Sequence, residues 1–291
     1  MRILIGYNGT DFARTAIEDM QHAGFPATSH AHVITIAEPC FPTVEAAEAG
    51  ALAAEGAEMV RGLFPDWTIT HSDTKGAPIR QLISAADEFH ADIIVLGEPN
   101  KKNEGGENMF LGPVSQGLLT ECDIPLRISR KKADDRWSRF PRLLLGFDGS
   151  PGAERAINAI AGRSWPKGTL VRVISIDGSG VVGSIGQLSA QWRAAAVGAG
   201  FESKWAETLA EHAMQELDEA GMCTELEVRT GDPQKALIEA ADEWDADCIF
   251  VAPHCAGNSY ERFLLGSVSA AVAAHANCTI EIMRWPAAVL S

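Results

Sequence analysis

The chain has 291 residues, of which 46% are hydrophobic and 22% are charged, and its formal net charge is −15. This length allows two ordinary globular domains, and the composition is that of a folded rather than a disordered protein. The acidic charge disfavours nucleic acid and anionic membranes as partners, because both would be repelled by the surface.

Several features favour a cytoplasmic protein. No apolar run is long enough to cross a membrane, so we expect no transmembrane helix. The apolar part of the N-terminus is too short for a signal peptide. The six cysteines form no Cys-x-x-Cys pair, and most lie in or beside apolar runs, which is typical of reduced and buried thiols.

Strand-like and helix-like segments alternate along the first 130 residues. Continuous apolar runs such as 92–97 indicate strands of a parallel sheet that is buried on both faces. Between them, apolar residues at helical spacing follow capping residues or a proline, which indicates helices. The alternation predicts an open, mostly parallel α/β sheet. The predicted strands are 2–7, 32–36, 67–70, 92–97 and 125–129, with helices over about 13–20, 44–63 and 76–89 and from about 112 onward.

The second half of the chain repeats the first. Three segments recur in the same order, which predicts a duplicated domain. The change of offset places about fifteen additional residues around 177–200, in a Gly- and Ser-rich stretch typical of a surface loop. The matched pairs are 2–10 with 142–150, 76–98 with 231–253 and 110–115 with 264–269, at offsets of 140 (142 − 2), 155 (231 − 76) and 154 (264 − 110).

A charged stretch without periodicity, 131–140, separates the two copies and is the predicted linker. We therefore expect a first domain over 1–130 and a second over 141–291. Two copies of one fold in a chain predict a pseudo-dimer of domains. Whether two chains also form a homodimer stays open at this point.

The motifs of the second half resemble those of the universal stress protein family. They are a strand that ends in Asp148-Gly149-Ser150 and, much later, the sequence Arg-Phe-Leu-Leu-Gly-Ser-Val-Ser at 262–269. The first half resembles the family more distantly, and both copies together cover nearly the whole chain. The resemblance implies a tandem protein with two repeated open five-stranded parallel sheets, helices on both faces, and a Rossmann-like, nucleotide-binding α/β character.

Many members of that family bind ATP beyond the carboxyl ends of the strands, where open parallel sheets bind ligands. The resemblance implies that Asp148 holds the nucleoside and that Ile176 lines the adenine pocket. Two positions that are glycine in the family motif are Ala252 and Cys255 here, and cysteine resists the backbone conformation that glycine allows. The implied site in the second half comprises Asp148, Gly149, Ser150, Ile176, Ala252, His254, Cys255, Gly266, Ser267, Val268 and Ser269.

The first half departs further from the family motif. Asn8 replaces the aspartate, and Pro113 follows the last glycine, so that one N–H group and one hydroxyl are lost. Glu98 in the following loop would oppose a phosphate. These changes favour the second half as the binding site. The corresponding positions of the first half are Asn8, Gly97, Asn100, Gly112 and Ser115.

Neither a catalytic residue nor a metal site is predicted. His30 and His32 share one strand face, but the sequence places no third ligand beside them. No nucleophile elbow and no Walker lysine pattern occurs, and no serine has a histidine and an aspartate placed by a motif.

The leading hypothesis is a stress-response protein that binds an adenine nucleotide (ATP, or ADP or AMP) chiefly in its second half. The nucleotide would shift conformation or the choice of an unidentified protein partner. A competing hypothesis is an interaction module in which both motifs have decayed. A slow ATPase ranks third, because no general base is identifiable.

Overall fold

The computed structural model describes residues 1–38, 47–99, 111–130, 139–177, 205–252 and 266–284. The chain divides into two compact units, the first within Met1–Ala133 and the second within Asp134–Arg284. Most of the predicted linker, 131–140, lies outside the described residues, so the domain limits stay a prediction. No helix in the described ranges is long and apolar enough to cross a membrane.

The first unit alternates strands and helices as the sequence predicts. Helix α1 begins where the Thr10 hydroxyl accepts a hydrogen bond from the Ala13 N–H, and a proline occupies the first turn of both α3 and α4. The elements are β1 (Arg2–Gly6), α1 (Asp11–Asp19), β2 (His30–Ala37), α2 (Ala49–Leu63), β3 (Thr68–Lys75), α3 (Pro78–Phe89), β4 (Ile93–Glu98), α4 (Pro113–Glu121) and β5 (Leu126–Arg130).

The five strands of the first unit are all parallel, in the order β3-β2-β1-β4-β5. Helices α1 and α2 pack on one face, over a core that contains Ile3, Ile5 and Val95. Helix α3 packs against β1 and β2. Strand β3 reaches Lys75, well beyond the predicted 67–70. The prediction was too short because β3 lies at the edge of this unit's sheet and carries polar side chains, which give no apolar pattern in the sequence.

The second unit repeats this arrangement, with parallel strands in the order β10-β9-β6-β7-β8. The prediction of two repeated five-stranded parallel sheets is therefore confirmed. The elements are β6 (Arg142–Phe147), α5 (Pro151–Ala161), β7 (Leu170–Asp177), α6 (Trp205–Glu219), β8 (Cys223–Thr230), α7 (Pro233–Glu243), β9 (Cys248–Val251), α8 (Ser267–His275) and β10 (Thr279–Ile282).

The same contact begins the first strand of each unit. The Asp92 carboxylate accepts a 2.7 Å hydrogen bond from the Arg2 N–H, and the Asp247 carboxylate accepts one of 2.8 Å from the Arg142 N–H. Each bond ties β1 or β6 to the residue that precedes β4 or β9. The duplication therefore extends to individual hydrogen bonds.

Candidate functional site

Those sequence-predicted residues of the second unit that the structure describes lie where its parallel strands end. Phe147 pairs with Ser175 and Leu145 pairs with Phe250, so β6, β7 and β9 finish at the same edge of the sheet. Asp148 follows β6 directly, and Ile176 lies one position beyond the last register pair of β6 and β7. The fold thus brings these segments to the edge at which open parallel sheets bind ligands.

The turn Asp148-Gly149-Ser150 is held by its own hydrogen bonds. An Asp148 carboxylate oxygen accepts a 2.9 Å bond from the Ser150 N–H, and the Ser150 hydroxyl oxygen accepts a 3.2 Å bond from the Ala153 N–H at the start of α5. Gly149 has φ +71°, which side chains disfavour. Ser150 is buried as a helix cap, whereas Asp148 is exposed and faces solvent at the strand ends.

Helix α8 presents its first turn at the same edge. Its N-cap is Gly266, Ser267 is exposed, and the Ser269 side chain is buried. The first N–H groups of a helix have no partner within it, and the helix dipole makes them attractive to anions. Among the described residues, no carboxylate is hydrogen-bonded to this end of α8.

The structure describes three of the remaining predicted positions of the second unit. Ile176, Ala252 and Val268 are half-buried, and Ala252 packs against the unit's hydrophobic core. His254 and Cys255 lie outside the described residues, as does Asn100 of the first unit.

The first unit has the same turn after its first strand. An Asn8 side-chain oxygen accepts bonds from the Thr10 N–H at 3.3 Å and from the Thr10 hydroxyl at 2.7 Å. Asn8 is exposed, like Asp148. The replacement of aspartate by asparagine therefore keeps the turn and removes its charge.

Gly97 has a packing role that its place in the motif does not suggest. A Cβ atom at this position would lie 2.0 Å from the Phe12 carbonyl oxygen in the first turn of α1. Only glycine permits this close approach of helix and strand. The corresponding position of the second unit is Ala252 (97 + 155), where a Cβ atom is present.

The first turn of α4 is occupied by a carboxylate of the same unit. Glu98, at the end of β4, is only 8% exposed. Its side chain accepts hydrogen bonds from the Gly112 N–H at 3.2 Å and from the Ser115 hydroxyl at 2.5 Å. These are the two donors that correspond to predicted phosphate ligands. The sequence had indicated repulsion from Glu98, but it did not reveal this contact.

Helix α2 covers the neighbouring strand ends of the first unit. A Cβ atom on Gly9 would lie 2.7 Å from Leu52 Cδ2, so the leucine side chain sits directly on the turn that follows β1. Leu52 also packs against Ala37 and Ala49, both of which are buried. The matching stretch of the second unit falls largely within 178–204, outside the described residues.

A sequence model described as "Universal stress protein family" matches residues 139–284, which is half of the chain. This chain belongs to the universal stress protein family. The tandem arrangement of two domains of this fold is confirmed, because a universal stress protein from Archaeoglobus fulgidus DSM 4304 aligns with 97% of this chain and 98% of its own, at 17% identity and a TM-score of 0.71.

Other solved structures also align with all or half of this chain. A functionally unknown protein from Pseudomonas aeruginosa PAO1 covers 97% of this universal stress protein and 92% of its own chain, at 15% identity and a TM-score of 0.64. The universal stress protein from Archaeoglobus fulgidus in complex with dAMP covers 50% of this chain and 98% of its own, at 21% identity and a TM-score of 0.34. No curated protein sequence matches this chain significantly.

Proposed function

We propose that this universal stress protein binds an adenine nucleotide in its second unit, as a regulatory ligand of a stress response. One observation carries the proposal. The first turn of α8 lies at the carboxyl edge of its sheet, and no carboxylate of the described residues is hydrogen-bonded to Gly266, Ser267 or Ser269. In the first unit, the corresponding turn is filled by Glu98.

The phosphate groups would bind at the start of α8. Backbone N–H groups there have no helical partner, and the exposed Ser267 hydroxyl adds a donor beside them. The ligand in question is ATP, with ADP and AMP as the shorter alternatives. A chain with net charge −15 can bind such an anion, because the interaction is local to these donors.

The nucleoside would bind beside Asp148. This exposed carboxylate is held by the Ser150 N–H, and carboxylates accept hydrogen bonds from ribose hydroxyls or adenine amino groups. Ile176 is half-buried one strand away and offers an apolar surface to the adenine ring. His254 and Cys255 belong to the proposed site by sequence alone.

We infer a regulatory rather than catalytic use of the nucleotide. The sequence contains no motif for a general base or a nucleophile, so turnover is slow at most. Occupancy of the site would change contacts with a protein partner. Cys122, Cys248 and Cys278 are buried thiols, which supports a reducing compartment and hence the cytoplasm.

Isothermal titration calorimetry with ATP, ADP and AMP tests the proposal. Asp148→Ala removes the carboxylate, and Asn8→Ala is its matched control in the first unit. Ser267→Pro removes one N–H and one hydroxyl while it keeps a helix start, because proline is favoured at the first helical position and occupies it in α4.

We expect the wild type to bind, and we expect Asp148→Ala and Ser267→Pro each to lose roughly tenfold or more in affinity, which is about 1.4 kcal/mol. Asn8→Ala is expected to bind as the wild type does. Absence of binding by the wild type would instead support an interaction module without nucleotide. Unchanged affinity in both second-unit variants would move the site elsewhere.

A further inference from the structure

We propose that Glu98 is the residue that excludes phosphate from the first unit, because its carboxylate occupies the donors that would otherwise face a ligand. The inference deepens the proposed function, on which it rests for the choice of unit. It assigns the difference between the two units to one buried side chain rather than to a general decay of the motif.

The contact geometry supports this role. Both carboxylate oxygens of Glu98 are engaged, one by the Gly112 N–H and the other by the Ser115 hydroxyl. The Glu98 and Ser115 side chains are both buried. Hydrogen bonds to an ionised acceptor are the stronger kind, and a negative charge at the start of a helix is further stabilised by the helix dipole.

Gly112 leaves room for this carboxylate. A Cβ atom there would lie 2.8 Å from Glu98 Oε1, so any side chain at 112 would displace the glutamate. The glycine that the motif assigns to a ligand therefore serves an internal anion in this unit. A phosphate could reach the same donors only after Glu98 had left, since two anions cannot share one buried position.

A second feature of the first unit lies at the turn after β1. Leu52, in the first turn of α2, lies on Gly9 and beside the buried Ala37 and Ala49. The adjoining Asn8 is exposed. An apolar side chain thus lies next to the turn at which a nucleoside would bind, whereas a carboxylate occupies the donors at the phosphate end.

The second unit cannot build the same closure from the matching position. The counterpart of Glu98 is Pro253 (98 + 155), whose side chain carries no charge and accepts no hydrogen bond. Pro113 offers an alternative explanation for a first unit that does not bind phosphate, because it removes one N–H from the start of α4. An experiment must therefore separate Glu98 from Pro113.

The test follows the backbone amide resonances of Gly112 and Ser115 by ¹⁵N TROSY NMR while inorganic phosphate, and separately ATP, is added to the full chain. Four proteins are compared: wild type, Pro113→Ser, Glu98→Ala and the double variant. Glu88→Ala, at an exposed carboxylate on α3, is the control for loss of charge. If the double variant unfolds, Glu98→Gln with Pro113→Ser replaces it, because a neutral amide competes weakly with phosphate.

We expect both resonances to shift with phosphate in the double variant and to stay fixed in the wild type, in Pro113→Ser and in Glu88→Ala. A phosphate-dependent shift in Pro113→Ser would assign the exclusion to the proline and overturn the proposal. Fixed resonances in the double variant, or a shift in the wild type, would overturn it as well. Gly266 and Ser267 resonances report separately on the second unit, so failure of the proposed function is recognised independently.

Discussion

Arg172 in the second unit lies at the position that His32 holds in the first, 140 residues earlier (172 − 32). Each side chain packs on an aromatic ring at the carboxyl end of a helix, which is α3 in the first unit and α7 in the second. The His32 and Phe89 ring centroids are 5.4 Å apart, and the Arg172 guanidinium carbon lies 4.5 Å from the centroid of the Trp244 ring. Both units thus keep a contact with an aromatic ring at this position, while the charge of the side chain differs.

The residues that pair with this position on the neighbouring edge strand, β3 or β8, also differ between the two units. The two ring nitrogens of His32 contact the Thr70 and Ser72 hydroxyl oxygens at 2.7 Å and 2.9 Å. At the matching positions of β8, two glutamates pair with Arg172 instead, namely Glu225 and Glu227. A charged residue thus has charged partners, and the imidazole has neutral ones.

This environment predicts a pH-dependent loss of stability through His32. Burial, and secondarily the nearby His71, lowers the pKa of His32 below its ordinary value of 6.5. The unfolded chain therefore takes up the proton first as pH falls through 6.5, so that stability present above this pH is lost as pH approaches the folded-state pKa. Urea midpoints across this window are expected to fall more steeply for the wild type than for His32→Gln.

His30→Gln is the control, because His30 lies two residues earlier on the same strand and is exposed. Its urea midpoints over the same pH range control for the removal of an imidazole from this strand. Parallel profiles for the wild type and His32→Gln would show that His32 does not titrate differently in the folded and unfolded chain.

Gly97→Ala tests whether this glycine is needed for packing. The new methyl group would meet the Phe12 carbonyl oxygen at 2.0 Å, and backbone cannot move aside as a side chain end can. We expect a loss of about 3 kcal/mol in the free energy of unfolding, the upper part of the range for overpacked cores. Gly62→Ala in α2, with no atom within 4 Å of the new methyl, is expected to gain about 0.5 kcal/mol. Equal effects would refute the steric argument.

The ion pair of Arg163 and Glu281 is buried, with exposed side-chain fractions of 6% and 0%. Its Nη1–Oε2 distance is 2.9 Å, and the guanidinium carbon lies 5.6 Å from the centroid of the Phe250 ring. Glu281→Gln removes a buried negative charge that pairs with this guanidinium, and we expect the change to cost about 3–5 kcal/mol in chemical denaturation.

The exposed pair of Arg61 and Glu58 provides the contrast, because Glu58 is 74% exposed. Glu58→Gln is expected to cost less than about 1 kcal/mol. A comparable loss at both positions would mean that burial does not set the strength of these pairs.

Much of this fold could be predicted from the sequence, because its strands are buried on both faces and read as continuous apolar runs. The duplication was visible in the turn after each first strand, where Asp148 and Asn8 occupy equivalent places. The polar edge strand β3 gave no such signal beyond residue 70, since its pairing with β2 depends on backbone hydrogen bonds.

The contact of Glu98 with the first turn of α4 could not be predicted in the same way. Glu98 and Gly112 are fourteen positions apart, and their contact depends on the three-dimensional fold rather than on a local sequence pattern. The sequence also does not distinguish a motif glycine that makes room for a ligand from one that makes room for another part of the chain. Gly97 and Gly112 both match the family pattern by position. In this structure, however, a side chain at Gly97 would clash with the Phe12 backbone, and one at Gly112 would clash with the Glu98 carboxylate.

The most direct measurement of the central claim is the stoichiometry of ATP binding to the wild-type chain by calorimetry. One nucleotide per chain is predicted, bound by the second unit, with the first unit closed by Glu98. Two nucleotides per chain would contradict the closure of the first unit, and no binding would contradict the nucleotide function itself.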